Sequence, residues 1–192
     1  MTDHDSSLVN SEDALIKQHT MHWVRSFVIE YNICPFARHV VEHETLRIHV
    51  THVHELDGAL DALMAAIHRL DGHSEIETLL LVFPSYLTDF FDYLDFVDLA
   101  EEQVAAQGYD GIYQLATFHP DYCFAGVSMD DVSNYTNRSP YPMLHLLRET
   151  SVDKAISYHG NTAQIPDDNI DMMQKLGLEK VKKILERTGY NH

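Results

Sequence analysis

The chain has 192 residues, 45% hydrophobic and 22% charged, which is long and apolar enough to bury a core and excludes wholesale disorder. Thirty acids against 13 bases give a formal net charge of −17; such a surface repels phosphate backbones and anionic lipid and argues against nucleic-acid or membrane partners. Two cysteines, no basic-then-apolar leader and no apolar run near the ~20 residues of a membrane span point to a cytoplasmic protein with reduced thiols.

Met1 to Asn10 is polar and unpatterned, and reads as a disordered tail ahead of a single globular domain over 11–192. From Ser11 to Tyr31, Leu15, Trp23, Val24, Phe27, Val28 and Tyr31 recur at helical spacing. This helix must end near Ile33, because Pro35 drives Cys34 out of the α region. Leu46 to Val53 alternates as a half-buried strand, and Leu56 to Leu70 is an amphipathic helix stopped by Gly72. Thr78 to Phe83 is continuously apolar, as in a strand covered on both faces. Asp89 to Gln107 reads as a helix with Phe90, Phe91, Leu94, Val97 and Val104 turned inward. Ser85 or Thr88 is its cap, and an acid series from Asp89 to Glu102 forms its solvated side. Ile112 to Phe118 is the third strand.

Strand, helix, strand, helix, strand makes two βαβ units with right-handed crossovers. The expected fold is α/β (α+β as the alternative), with a small three- to four-stranded, mostly parallel sheet. Ligands of open α/β sheets bind beyond the carboxyl ends of the strands, where Phe118, His119, Ser85 and Tyr86 fall. Helices are expected from Pro142 to Thr150, Val152 to Tyr158, Ile165 to Leu176 and Leu178 to Arg187.

Between Phe118 and that next helix lie about two dozen residues without period, long enough to suggest an ordered functional loop. His119, Asp130, Asp131, Asn134, Asn137, Arg138, Ser139, His145, Arg148 and Glu149 supply reactive or anion-binding side chains. Arg138 either awaits an anionic ligand or pairs with Asp130 or Asp131 as a staple. His119 and His145 are candidate general bases near neutral pH. Arg148 is a further anion clamp. Asn134, Asn137 and Ser139 are candidate ligand-orienting groups or simple turn formers. His145 and Glu149, one helical turn apart, could share a metal with His119 or Asp121, although H-x-x-x-E alone is a weak signal. Cys34 ahead of Pro35 is placed to cap a helical turn, where the dipole would lower its pKa; a plain buried thiol is the competing view. His39, His43, His49, His52 and His54 fit no structural zinc spacing and read as surface.

Three stretches together resemble one family. Asn32 to Ala37 (NICPFA), Phe118 to Tyr122 (FHPDY) and Asn134 to Glu149 (NYTNRSPYPMLHLLRE) are similar to the bacterial family called domain of unknown function 1415, over roughly Met21 to Arg187. That name assigns no reaction, so the resemblance implies no catalytic residues and no cofactor.

The chemistry therefore rests on the residues themselves. Cys34, His119 and His145 are the catalytic candidates. Arg138, Arg148, Asn134, Asn137 and Ser139 are the ligand-binding candidates, and no metal ligand is assigned. The expected function is binding of, or catalysis on, an anionic small molecule in a pocket built by residues 118–149. The alternatives are a non-catalytic protein-interaction module and a metal-dependent hydrolase.

Overall fold

The computed structural model describes residues 3–159 and 162–189. Four strands form one sheet: β1 (Leu46–Val50), β2 (Thr78–Val82), β3 (Tyr113–Phe118) and β4 (Met143–Arg148), in the order β1-β2-β4-β3. Seven helices surround it within the described residues: α1 (Asp3–Trp23), α2 (Ala37–Glu42), α3 (Leu56–Gly72), α4 (Phe90–Ala106), α5 (Glu149–His159), α6 (Ile165–Leu176) and α7 (Leu178–Glu186). None is long and apolar enough to cross a membrane.

The βαβαβ connectivity holds, and β1, β2 and β3 run the same way. The sheet is nevertheless mixed rather than mostly parallel. Only β1 and β2 pair in parallel; β4 pairs antiparallel with both β2 and β3. The segment expected as a helix from Pro142 is this inserted strand. Met, Leu and Arg favour helix as isolated residues, and Met143, Leu146 and Leu147 also fit helical spacing. Pairing on both edges overrides that preference, because β4 satisfies the open sides of β2 and β3 at once.

Alternation sorts the strands onto two cores. Leu79, Leu81, Leu144, Leu146 and Tyr113 face α3 and α4. Leu46, Val50, Leu80, Val82 and Met143 face Trp23, Val24, Phe27 and Val28, together with Met173 of α6 and Val181 and Leu185 of α7. Every residue of β2 is buried, as expected of a strand covered on both sides. On α4 the inner face is Phe90, Tyr93, Phe96, Val97, Ala100 and Val104. Phe91 (75% exposed) and Leu94 instead face solvent, displaced by the larger Tyr93 and Phe96, and Asp89 caps the helix by accepting from Phe91 N and Asp92 N.

At the N-terminal end α1 begins before Ser11; Met1 and Thr2 of the expected tail lie outside the described residues. Past Trp23 the helix widens into a π-helical segment, Val24–Ile29. Asn32 then reverses the chain at φ 53°, a left-handed conformation that asparagine tolerates better than most residues. The turn from Cys34 follows, closed by Ala37 N–H donating to Cys34 O. Asn169 Nδ2 of α6 donates to Ile33 O and fixes this turn against the helices (2.8 Å).

Candidate functional site

The long loop, residues 119–142, is ordered by its own polar groups. His119 is fully buried between Phe90 and Tyr93, with ring centroids 5.2 and 5.0 Å away. Its Nδ1 accepts from Asp121 N–H (2.9 Å), so its Nε2–H donates to Leu87 O (3.0 Å). Leu87 itself sits at φ 60°, and this bond helps to hold it there. Asn134 Oδ1 accepts from Phe124 N, and its Nδ2 donates to Ser128 O and Met129 O. Asn137 Nδ2 donates to Thr117 O and Ser139 Oγ to Tyr141 O.

Arg138 is the staple that the competing view required, although not through Asp130 or Asp131. Its Nε donates to Tyr122 O, Nη2 donates to Met129 O, and the guanidinium lies 4.4 Å over the Tyr135 ring. Arg148 is occupied at the far end of β4. It donates from Nε to Ile76 O, from Nη2 to Leu70 O and His73 O, and from Nη1 to Tyr113 OH. A cation on the last carbonyls of α3 suits the helix dipole. Tyr113 and Tyr109 in turn donate to Asp71, and first the Tyr113 hydroxyl, then that of Tyr109, hold the Asp71 carboxyl below the ordinary range. Burial, then the bond to Asp71, pushes Tyr113 up to about 12.

The large cavity lies elsewhere, over the α1-facing side of the sheet. It encloses about 730 Å3. Its floor is the alternate residues of four strands: Leu46, Thr78, Leu80, Gln114, Ala116, Phe118, His145 and Leu147. Trp23, Val24 and Val28 wall it on one side, with the Cys34–Val40 turn and α2 on another and Ser151, Val152 and Ala155 of α5 on a third. The π-helical segment contributes to this wall, a setting in which such segments recur. The cavity reaches the amino ends of β1 and β2 and runs along β3 from Gln114 to Phe118, rather than lying beyond the carboxyl ends that the α/β rule singles out. The reason is the insertion of β4, whose far end and following helix open that side.

Two of the sequence candidates meet here, Cys34 and His145. His119, Arg138, Arg148, Asn134, Asn137 and Ser139 do not line this cavity. His145 Nε2 lies 2.6 Å from Thr78 Oγ1, whose own hydrogen goes to Leu146 O (2.6 Å), so Nε2 carries the proton and donates. Nδ1 therefore presents a lone pair, with no hydrogen-bond partner among the described residues. Burial pushes His145 down to about 4, and the ring is neutral at pH 7. Burial likewise raises the Cys34 thiol, opposed only in part by the nearby backbone N–H groups of Phe36 and Ala37; the lowered pKa expected of a cap does not result. Among the described residues no hydrogen bond joins Cys34 to His145.

The placement of His145 on a strand also removes the proposed metal spacing. Glu149 opens α5, roughly 13 Å along extended chain, and within the described residues no group of three or more His, Cys, Asp or Glu could hold a metal ion.

Sequence reasoning missed Trp23. Its indole is buried against Phe118 (centroids 5.2 Å), and Nε1 is the one buried side-chain N or O atom without a hydrogen-bond partner among the described residues. Helical spacing marked Trp23 as core, and no local signal marks an unpaired N–H.

No curated protein and no solved structure matches the chain significantly. A family model does match, over residues 15–183, and the chain thereby belongs to the family described as Protein of unknown function (DUF1415).

Proposed function

We propose that the protein binds a largely apolar small molecule in the cavity between the sheet and the α1, α2 and α5 side. The observation that carries this is a cavity of about 730 Å3, floored by sheet side chains and walled mainly by apolar ones. That volume lies within the range of small-molecule sites, and a few placed polar groups on an apolar wall are their usual composition. Cys34, Thr78, Gln114, His145 and Ser151 are among those groups in this protein, with His39, Glu77 and Lys154 also on the lining. The anionic ligand expected from the sequence has less support, because Arg138 and Arg148 direct N–H groups to backbone carbonyls outside the cavity. Among the lining residues Lys154 is the one Lys or Arg, and it is exposed.

Trp23 is the sole tryptophan, so its fluorescence reports on the cavity directly. Titration with butylbenzene should give a saturable change in Trp23 emission and a raised Tm. Ala116→Leu extends a side chain from the floor into the space and should abolish both responses while the far-UV circular dichroism stays unchanged. A wild-type protein that responds to no alkylbenzene, or an Ala116→Leu variant that responds equally, refutes the proposal.

A further inference from the structure

We infer that the cavity selects a neutral hydroxyl: its ligand is an apolar molecule bearing an O–H that donates to His145 Nδ1. This rests on the binding proposal above and adds the chemistry of the recognised group.

The inference follows from where protons sit. Thr78 Oγ1 is anchored as a donor to Leu146 O, which makes it an acceptor for His145 Nε2–H. The imidazole is thereby fixed in one tautomer by a partner that is itself fixed by the backbone of β4. Its second nitrogen is left as an acceptor, on a side chain that lines the cavity. Unlike the Trp23 N–H, this nitrogen keeps accessible surface, and a ligand O–H in the cavity can pair with it. Trp23 lines the same wall with its ring, while its N–H is buried away from the open space. Phe118 packs against both rings, 5.2 Å from Trp23 and 6.3 Å from His145. A hydroxyl supplies the donor that Nδ1 lacks and carries no charge into the apolar space.

Charge separates the hydroxyl from a carboxylate. A carboxylate is acceptor-only when ionised, so it meets the Nδ1 lone pair with its own lone pairs. Desolvation also keeps the imidazole neutral, so no cation balances an anion at this depth. A ligand whose head is anionic would have to turn it toward Lys154 at the exposed rim.

Four probes of one shape test this: butylbenzene, 4-butylphenol, 4-butylanisole and 4-butylbenzoate. Trp23 fluorescence gives each Kd. The phenol should bind about tenfold more tightly than the anisole, which keeps the oxygen and lacks the O–H, and 4-butylbenzoate should bind most weakly. In His145→Phe the phenol and anisole should bind alike. Equal binding of phenol and anisole by the wild-type protein overturns the hydroxyl inference even when butylbenzene binds. Tightest binding by the benzoate also overturns it and points to the Lys154 rim. Failure of all four overturns the binding proposal itself. The phenol–anisole comparison needs no variant, so it decides the matter even if His145→Phe folds poorly.

Discussion

Lowering the pH should destabilise this protein through His145 in a way that one substitution isolates. A histidine has an unperturbed pKa near 6.5, and burial brings His145 in the folded chain down to about 4. The unfolded chain therefore takes up this proton first as the pH falls. The His145 contribution is intact above about pH 6.5 and is lost on descent toward pH 4. At about 1.36 kcal/mol per pH unit the loss is about 2 kcal/mol at pH 5 and about 3 kcal/mol at pH 4. These are upper bounds, since the imidazole keeps an edge on the cavity. Against a typical stability of roughly 5–15 kcal/mol the effect is large. The assay is urea unfolding at pH 7.5, 6 and 5, on the wild type and on His145→Phe. The other histidines and the carboxylates act equally in both proteins, so the difference between the two curves reports position 145. The wild type should lose up to about 2 kcal/mol more than the variant between pH 7.5 and 5. Two curves that fall in parallel, within about 0.5 kcal/mol, would refute the buried neutral imidazole and with it the lone pair on which hydroxyl selection depends.

Arg148→Met should destabilise by about 3 kcal/mol in urea unfolding, because it strips donors from the carbonyls of Leu70, His73 and Ile76 at once; Arg148→Lys should recover little, lacking the planar fork. Arg138→Met should cost about 2 kcal/mol and open residues 119–142 to limited proteolysis, seen as a cleavage that the wild type resists. Glu44 is exposed and held at φ 56°, so Glu44→Gly should raise stability by roughly 0.5 kcal/mol, against the usual direction of glycine substitution.

The sequence made the two βαβ units legible because β1, α3 and α4 each carry a period and β2 is a short apolar run closed by Pro84. It did not make β4 legible. Met143 to Arg148 is apolar on both faces apart from His145 and Arg148, so neither the strand period nor the helix period prevails. Taken as a helix, Met143 to Arg148 makes His145 and Glu149 helical neighbours and leaves the sheet parallel. The polar density of residues 118–149 was also real. What composition could not reveal was its direction, because Asn134, Arg138 and His119 turn their polar atoms onto backbone groups of the loop and its neighbours. Cys34 and His145 stand out in the sequence as site residues, while the cavity that unites them depends on chain reversals that no local window contains.

The loop and the cavity are connected through register. β4 can lie between β2 and β3 only if the chain leaving β3 turns back on itself, and residues 119–142 make that reversal. Asn137 ties the loop to Thr117 O at the end of β3, and Tyr93 OH donates to Met143 O at the start of β4. Arg148 then locks the other end to α3. With both ends held, His145 stands opposite Leu80 on one side and Ala116 on the other, on the face that floors the cavity. A slip of one residue would exchange the faces, put Leu144 or Leu146 in place of the imidazole, and turn Arg148 into apolar surroundings. On this view the polar loop shapes the cavity indirectly, by fixing which face of β4 floors it.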